Sequence, residues 1–259
     1  MLPHLGTIEI NGNNMKTLTQ HLNEWKLTGQ SVQNVNKETY FIYKLERKTR
    51  FKVFGNGWRC LNDYTDKVYI NGERAILNEK GDTVKEYESG TYRITINDID
   101  KIDNCYMMFM EAKHLINAYF NDMKSIEILA LMFYGCTNLT SVTLDKTNDA
   151  IDLHQMFDYC SKLKTVSPFD TRCARDMSYM FNKCDSIKQI PKFNTKNVKD
   201  MNHMFFQCQS LVNVPLLDTS SCQSIQSMDN MFTHCPDLNK DTITNWSTVY
   251  NFKLGCKKK

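Results

Sequence analysis

Apolar residues recur along this chain in two rhythms. Between about residues 40 and 96 they alternate with polar ones, in runs rich in β-branched and aromatic side chains at 40–45, 51–54, 67–70, 73–77 and 92–96. A period of two predicts half-buried strands. Asn71-Gly72 stands between two of these runs and predicts a type I′ hairpin turn, because both central positions of that turn need positive φ. Upstream, Met15, Leu18, Leu22 and Trp25 follow a helical spacing, which predicts an amphipathic helix near 14–27 that ends by Gly29. The apolar face of that helix is a candidate docking surface.

Beyond residue 100 the rhythm becomes a repeat. Met-Phe recurs at Met108-Phe109, Met132-Phe133, Met156-Phe157, Met180-Phe181, Met204-Phe205 and Met231-Phe232, at intervals of 24 residues and finally 27. Three residues after the Phe stands Cys136, Cys160, Cys184, Cys208 or Cys235, with Ala112 in the first copy. Leu or Ile follows six residues after the Phe, and in the first five copies Val, Ile or Ala follows nine after. Within a copy, Met201, Met204, Phe205 and Cys208 fall at i, i+3, i+4 and i+7, the stripe of a short helix. Leu211-Val-Asn-Val214 predicts a brief strand broken at Pro215. Units of 24 residues are too short for two helices and fit one short helix plus one strand.

The residues Met-Phe-x-x-Cys-x-x-Leu-x-x-Val, with Phe169-Asp-Thr or Phe193-Asn-Thr between copies, resemble the BspA-type leucine-rich repeat over about 105–241. Such repeats are similar to those in surface and adhesion proteins of bacteria and some protists, and in phage proteins. The resemblance implies protein or glycan binding rather than catalysis. The expected fold class is therefore α+β or mostly β. A β-rich module at 1–99 precedes a leucine-rich-repeat solenoid of 24-residue coils at 100–243, and a cap and basic tail follow at 244–259.

Composition narrows the function without naming it. The formal charge is +3, and charged residues make up 24% of the chain, so no strongly basic face is expected and nucleic acid is not an expected partner. Apolar runs are far shorter than the roughly 20 residues of a membrane span, so no membrane insertion is expected. The N-terminus lacks the basic and apolar segments of a secretory signal, and the ten cysteines are expected to stay reduced. Their 24-residue spacing lacks any Cys-x-x-Cys, so they are expected to be packed as small hydrophobes and to hold no metal. Neither a nucleophile motif nor a phosphate-binding or dinucleotide-binding loop appears, so neither catalytic residues nor a cofactor is expected.

What remains is a binding or structural protein. If the Leu and Val of each strand point inward, their neighbours point out. Ser141, Thr165, Gln189 and Asn213 then form a ladder of small uncharged groups, the candidate binding face, beside a second column of Thr143, Ser167, Pro191 and Pro215. The expected setting is a phage virion component assembled in the host cytoplasm, of fibre, tail or decoration type. Its expected partners are other virion proteins, a host surface protein or glycan, or further copies of itself. The alternative is a bacterial surface adhesin or a cytosolic interaction protein.

Overall fold

The computed structural model describes residues 38–123, 125–222 and 225–239, and its elements belong to the compact unit that begins at Thr39. The expected docking helix of Met15, Leu18, Leu22 and Trp25 and the expected cap at 244–259 lie outside the described residues. Seven strands form one sheet: β1 (Tyr40–Leu45), β2 (Val68–Ile70), β3 (Glu73–Ala75), β4 (Gly90–Ile96), β5 (Leu115–Phe120), β6 (Ser141–Leu144) and β7 (Thr165–Val166), in the order β3-β2-β4-β1-β5-β6-β7. β1 is antiparallel to both neighbours, β4 and β5, whereas β5, β6 and β7 run parallel. The β2–β3 turn has φ 51° at Asn71 and 83° at Gly72, as a type I′ hairpin requires.

The expected β module followed by a leucine-rich-repeat solenoid is corrected by this arrangement. A single sheet runs without a break from the 40–96 strands into the repeats, and it is not closed into a solenoid. Among the described residues helix is almost absent. It amounts to one turn, α1 (Leu61–Tyr64), and two 3-10 turns at Ile99–Lys101 and Ile225–Met228. The Met-Phe segments are consecutive turns instead of helices. In every copy two residues have positive φ: the one before the Met (Met107, Leu131, Gln155, Tyr179, His203, Asn230) and the one two after the Phe (Glu111, Gly135, Tyr159, Lys183, Gln207, His234). A right-handed helix admits no such residue. Turns of this kind also bring i, i+3, i+4 and i+7 to one side, so an apolar stripe alone does not separate the two structures.

Backbone hydrogen bonds explain the choice. Alternate N–H groups close turns within a unit, as in Met108 N–H to Cys105 O at 3.0 Å and Met110 N–H to Met107 O at 3.1 Å. The N–H groups between them donate to the next unit, as in Phe109 to Met132 O at 2.8 Å and Glu111 to Tyr134 O at 2.7 Å. A helix would consume all of them internally and leave neighbouring units joined by side chains alone.

The core is a file of identical side chains. Phe109, Phe133, Phe157, Phe181, Phe205 and Phe232 stack with ring centroids 5.3–5.7 Å apart. Each of these rings is buried, as are the Met of every pair and Leu or Ile at the start of each strand segment. The 40–96 strands seal the first unit. Phe41 lies 4.6 Å and Phe54 5.9 Å from the Phe109 ring, and Trp58 Nε1–H donates to Asn104 O at 3.0 Å. Gly55 N–H donates to Met108 O at 2.8 Å, and a Cβ at Gly55 would sit 2.2 Å from Met107 O, so only glycine permits this approach.

One substitution tests the ring file and a second separates turns from helix. Phe181→Ala is expected to lower the unfolding free energy by about 3–5 kcal/mol, through the cavity left in the ring file. Gln207→Gly, at φ 60°, is expected to be neutral or to stabilise by up to about 1 kcal/mol, because glycine relieves the left-handed backbone. In a helix the same change costs about 1 kcal/mol. Urea unfolding of both variants reads the difference.

Candidate functional site

The residues of the expected ladder stand beside one another in pairs. Ser141 in β6 pairs with Thr165 in β7, and Gln189 is bridged to Asn213 further along. Thr165, Gln189 and Asn213 are exposed, and Ser141 is half-buried. Val142, Val166, Ile190 and Val214 beside them are buried, which fixes the outward direction of the ladder. The structure adds Asn117, paired with Ser141; its side-chain amide donates to Ser141 Oγ at 2.5 Å and Thr140 Oγ1 at 3.2 Å. Near Asn213 in the chain, Val212 is 36% and Leu216 66% exposed. Asn117 precedes Ala118, the first member of the same inward column, and so extends the ladder by one unit.

The cysteines form a second ladder inside. Each thiol donates to the carbonyl of the Phe in the preceding unit: Cys136 to Phe109 O and Cys208 to Phe181 O at 3.0 Å, Cys160 to Phe133 O and Cys184 to Phe157 O at 3.1 Å, and Cys235 to Phe205 O at 2.9 Å. Burial pushes the Cys136, Cys160, Cys184 and Cys208 thiols far above their ordinary range. Thr147, Thr171 and Thr195 repeat the device elsewhere in the unit, their buried hydroxyls donating to Asp170 O, Asn194 O and Asp218 O at 2.8, 3.0 and 2.9 Å.

Two groups of titratable residues lie outside the apolar columns of the repeat. Asp152, His154 and Asp176 come from adjacent units, and their donor atoms lie within 4.8 Å of one another, so they could hold a cation. His154 Nδ1 is 2.7 Å from Asp152 Oδ1, and that bond raises the imidazole pKa. The same Oδ1 also closes a turn, accepting His154 N–H at 3.1 Å. Asp176 Oδ1 does so for Ser178 N–H at 2.8 Å, and Asp200 Oδ1 for Asn202 N–H at 2.9 Å. The column of aspartates is thereby accounted for as turn closure.

The second group is buried. Asp158, 1% exposed, follows its Phe where other units carry Tyr134, Asn182 and Phe206. Its carboxylate accepts from Gln155 Nε2 at 3.0 Å and from Asn182 Nδ2 at 2.8 Å. Burial nevertheless pushes its pKa up to about 6, against the lowering effect of these bonds and of Lys183. Asn182 Oδ1 is buried and has no hydrogen-bond donor among the described residues.

The sequence over 129–246, a little under half of the chain, matches the family described as Mycoplasma protein of unknown function, DUF285. No curated protein and no solved structure matches. Among the described residues, no helix is long and apolar enough to cross a membrane.

Two measurements test these ladders. In the native state Cys136, Cys160, Cys184, Cys208 and Cys235 are expected to resist thiol labelling, with Cys173 and Cys60, half-buried, reacting first; mass mapping of the modified sites reads this directly. For Asp158 the folded pKa lies above the unfolded value, so its contribution favours folding fully below about pH 4 and is lost as pH rises through about 6. Asp158→Asn is therefore expected to be more stable than the parent at pH 7.5, by on the order of 2–3 kcal/mol. The gap should narrow by pH 5, as seen in denaturant unfolding across that range.

Proposed function

We propose that this protein works by binding, not by catalysis, and that the outward ladder of Asn117, Ser141, Thr165, Gln189 and Asn213 is its recognition surface for a protein or glycan partner. The observation that carries this reading is the repetition itself: small uncharged groups on paired strands, delivered at one spacing and rigidly backed by a buried column. A flat periodic surface of this kind suits an extended or repetitive partner better than an enclosed small molecule. The buried titratable groups support the same reading. Asp158 and the core thiols are spent on hydrogen bonds within the stack, away from any substrate.

Two settings are consistent with a chain whose core thiols donate hydrogen bonds and form no disulfides. One is a phage virion component, in which the repeats face outward and the N-terminal part joins the particle. The other is a bacterial surface or cytosolic interaction protein, and the match to a Mycoplasma family favours this second setting. Either way the ladder is open to test. Gln189→Lys together with Asn213→Lys is expected to leave stability within about 0.5 kcal/mol, since both side chains are exposed. The same pair of changes is expected to weaken retention of the protein on whole bacterial cells at least ten-fold. Unchanged retention by a normally folded variant would remove the ladder from consideration.

A further inference from the structure

Eight residues after each ladder position the chain enters a different surface. There the units leave an open groove of about 550 Å³, lined by two further columns. In one wall stand Glu127, Arg175 and Lys199, with Ile151 between the acid and the bases. Their backbones are tied in series, Ile151 N–H to Glu127 O, Arg175 N–H to Ile151 O and Lys199 N–H to Arg175 O, each at 2.8 Å. Asp149, Asn197 and Ser221 belong to the other wall. That wall is fastened by Asn197 Nδ2–H donating to Arg172 O at 2.8 Å and Ser221 Oγ–H donating to Lys196 O at 2.5 Å.

The charges are sorted along the groove. Both carboxylates, Glu127 and Asp149, belong to the earlier units, and both cations, Arg175 and Lys199, to the later ones. All four side chains are exposed, and no ion pair among the described residues engages any of them. Three unit steps separate Glu127 from Lys199, about 14 Å at the usual spacing of neighbouring strands. An extended peptide rises about 3.3 Å per residue, so some four residues cover that distance. A polyanion such as nucleic acid would bring phosphates against Glu127 and Asp149, and a neutral glycan would leave four charges unanswered.

We infer that this groove is a second binding site, distinct from the outward ladder, and that it takes an extended peptide segment carrying a basic and an acidic cluster whose centres lie two unit steps, or about three residues, apart. The acidic cluster meets Arg175 and Lys199, and the basic cluster meets Glu127 and Asp149. Arrangement of opposite potentials in this way selects a partner and its register more than it adds raw affinity.

The test uses the full chain and three fluorescein-labelled, end-capped 12-residue peptides of otherwise Gly and Ser composition. One carries two adjacent lysines and two adjacent glutamates separated by one residue, one carries four lysines, and one carries four glutamates. Fluorescence anisotropy at low salt is expected to give the mixed peptide at least ten-fold tighter binding than either of the others. Arg175→Glu with Lys199→Glu is expected to transfer the preference to the four-lysine peptide, while thermal unfolding of the variant stays that of the parent. Gln189→Lys with Asn213→Lys is expected to leave binding of the mixed peptide unchanged, which separates this site from the ladder. Failure of the mixed peptide to outbind both others, or a reversed-charge variant that keeps the parental order, would overturn the assignment.

Discussion

The division of backbone N–H groups between a unit's own turns and the carbonyls of the next unit is the constraint on which the repeat region depends. Half of the donors fold the chain sharply enough for Met, Phe and Cys to reach one interior, and the other half bind consecutive units. The rings of successive phenylalanines are then held at nearly constant spacing, and the cysteines and threonines can each reach a carbonyl one unit away. The last interval shows how strictly this is kept. Three extra residues separate Met204 from Met231, yet Phe205 still donates to Met231 O and Gln207 to Thr233 O, at 3.0 and 2.9 Å. The surplus is absorbed before the turns, in the stretch that contains the 3-10 turn at Ile225–Met228.

That constraint also explains which parts of the molecule were legible in the sequence. The Phe, Met, Cys and Leu columns identify the buried residues because burial depends on side-chain type and spacing, which repetition amplifies. The hairpin at Asn71-Gly72 was legible because its backbone angles demand those residues. Turns look like helices in this sequence for a physical reason: left-handed positions are occupied by Tyr159, Lys183 and Gln207, residues that carry no turn signature. Gly135, Asn230 and the two histidines, His203 and His234, are the members of the two series whose residue type favours a left-handed backbone. The strain at each is offset by the hydrogen bonds across units, which no single copy of the sequence can express.

The site followed the same division. The outward direction of the ladder from Ser141 to Asn213 follows from the burial of Val142, Val166, Ile190 and Val214 beside it. Asp152 and Asp176 stand 24 residues apart, in register with the repeat, but an aspartate at a turn reads as an ordinary polar residue until its neighbour across units is seen, and Asp158 is a lone carboxylate in a variable column that resembles a surface residue until its burial is seen. Continuity of the sheet was also hidden. β1 is antiparallel to β5, but β5 is parallel to β6, and alternation within each strand says nothing about which neighbour it will choose.

That change of direction at β5 gives the stack a polarity. Phe41, Phe54 and Gly55 close one face of the first unit so tightly that no further unit can be set in front of it. On the other side, each unit presents the following one with the same ring, the same thiol acceptor and the same alternating carbonyls. Tandem duplication or loss of whole 24-residue segments would therefore change the reach of this protein while leaving its starting end intact. The length of the molecule is a quantity its genome can adjust in steps of one unit, without redesigning anything already folded.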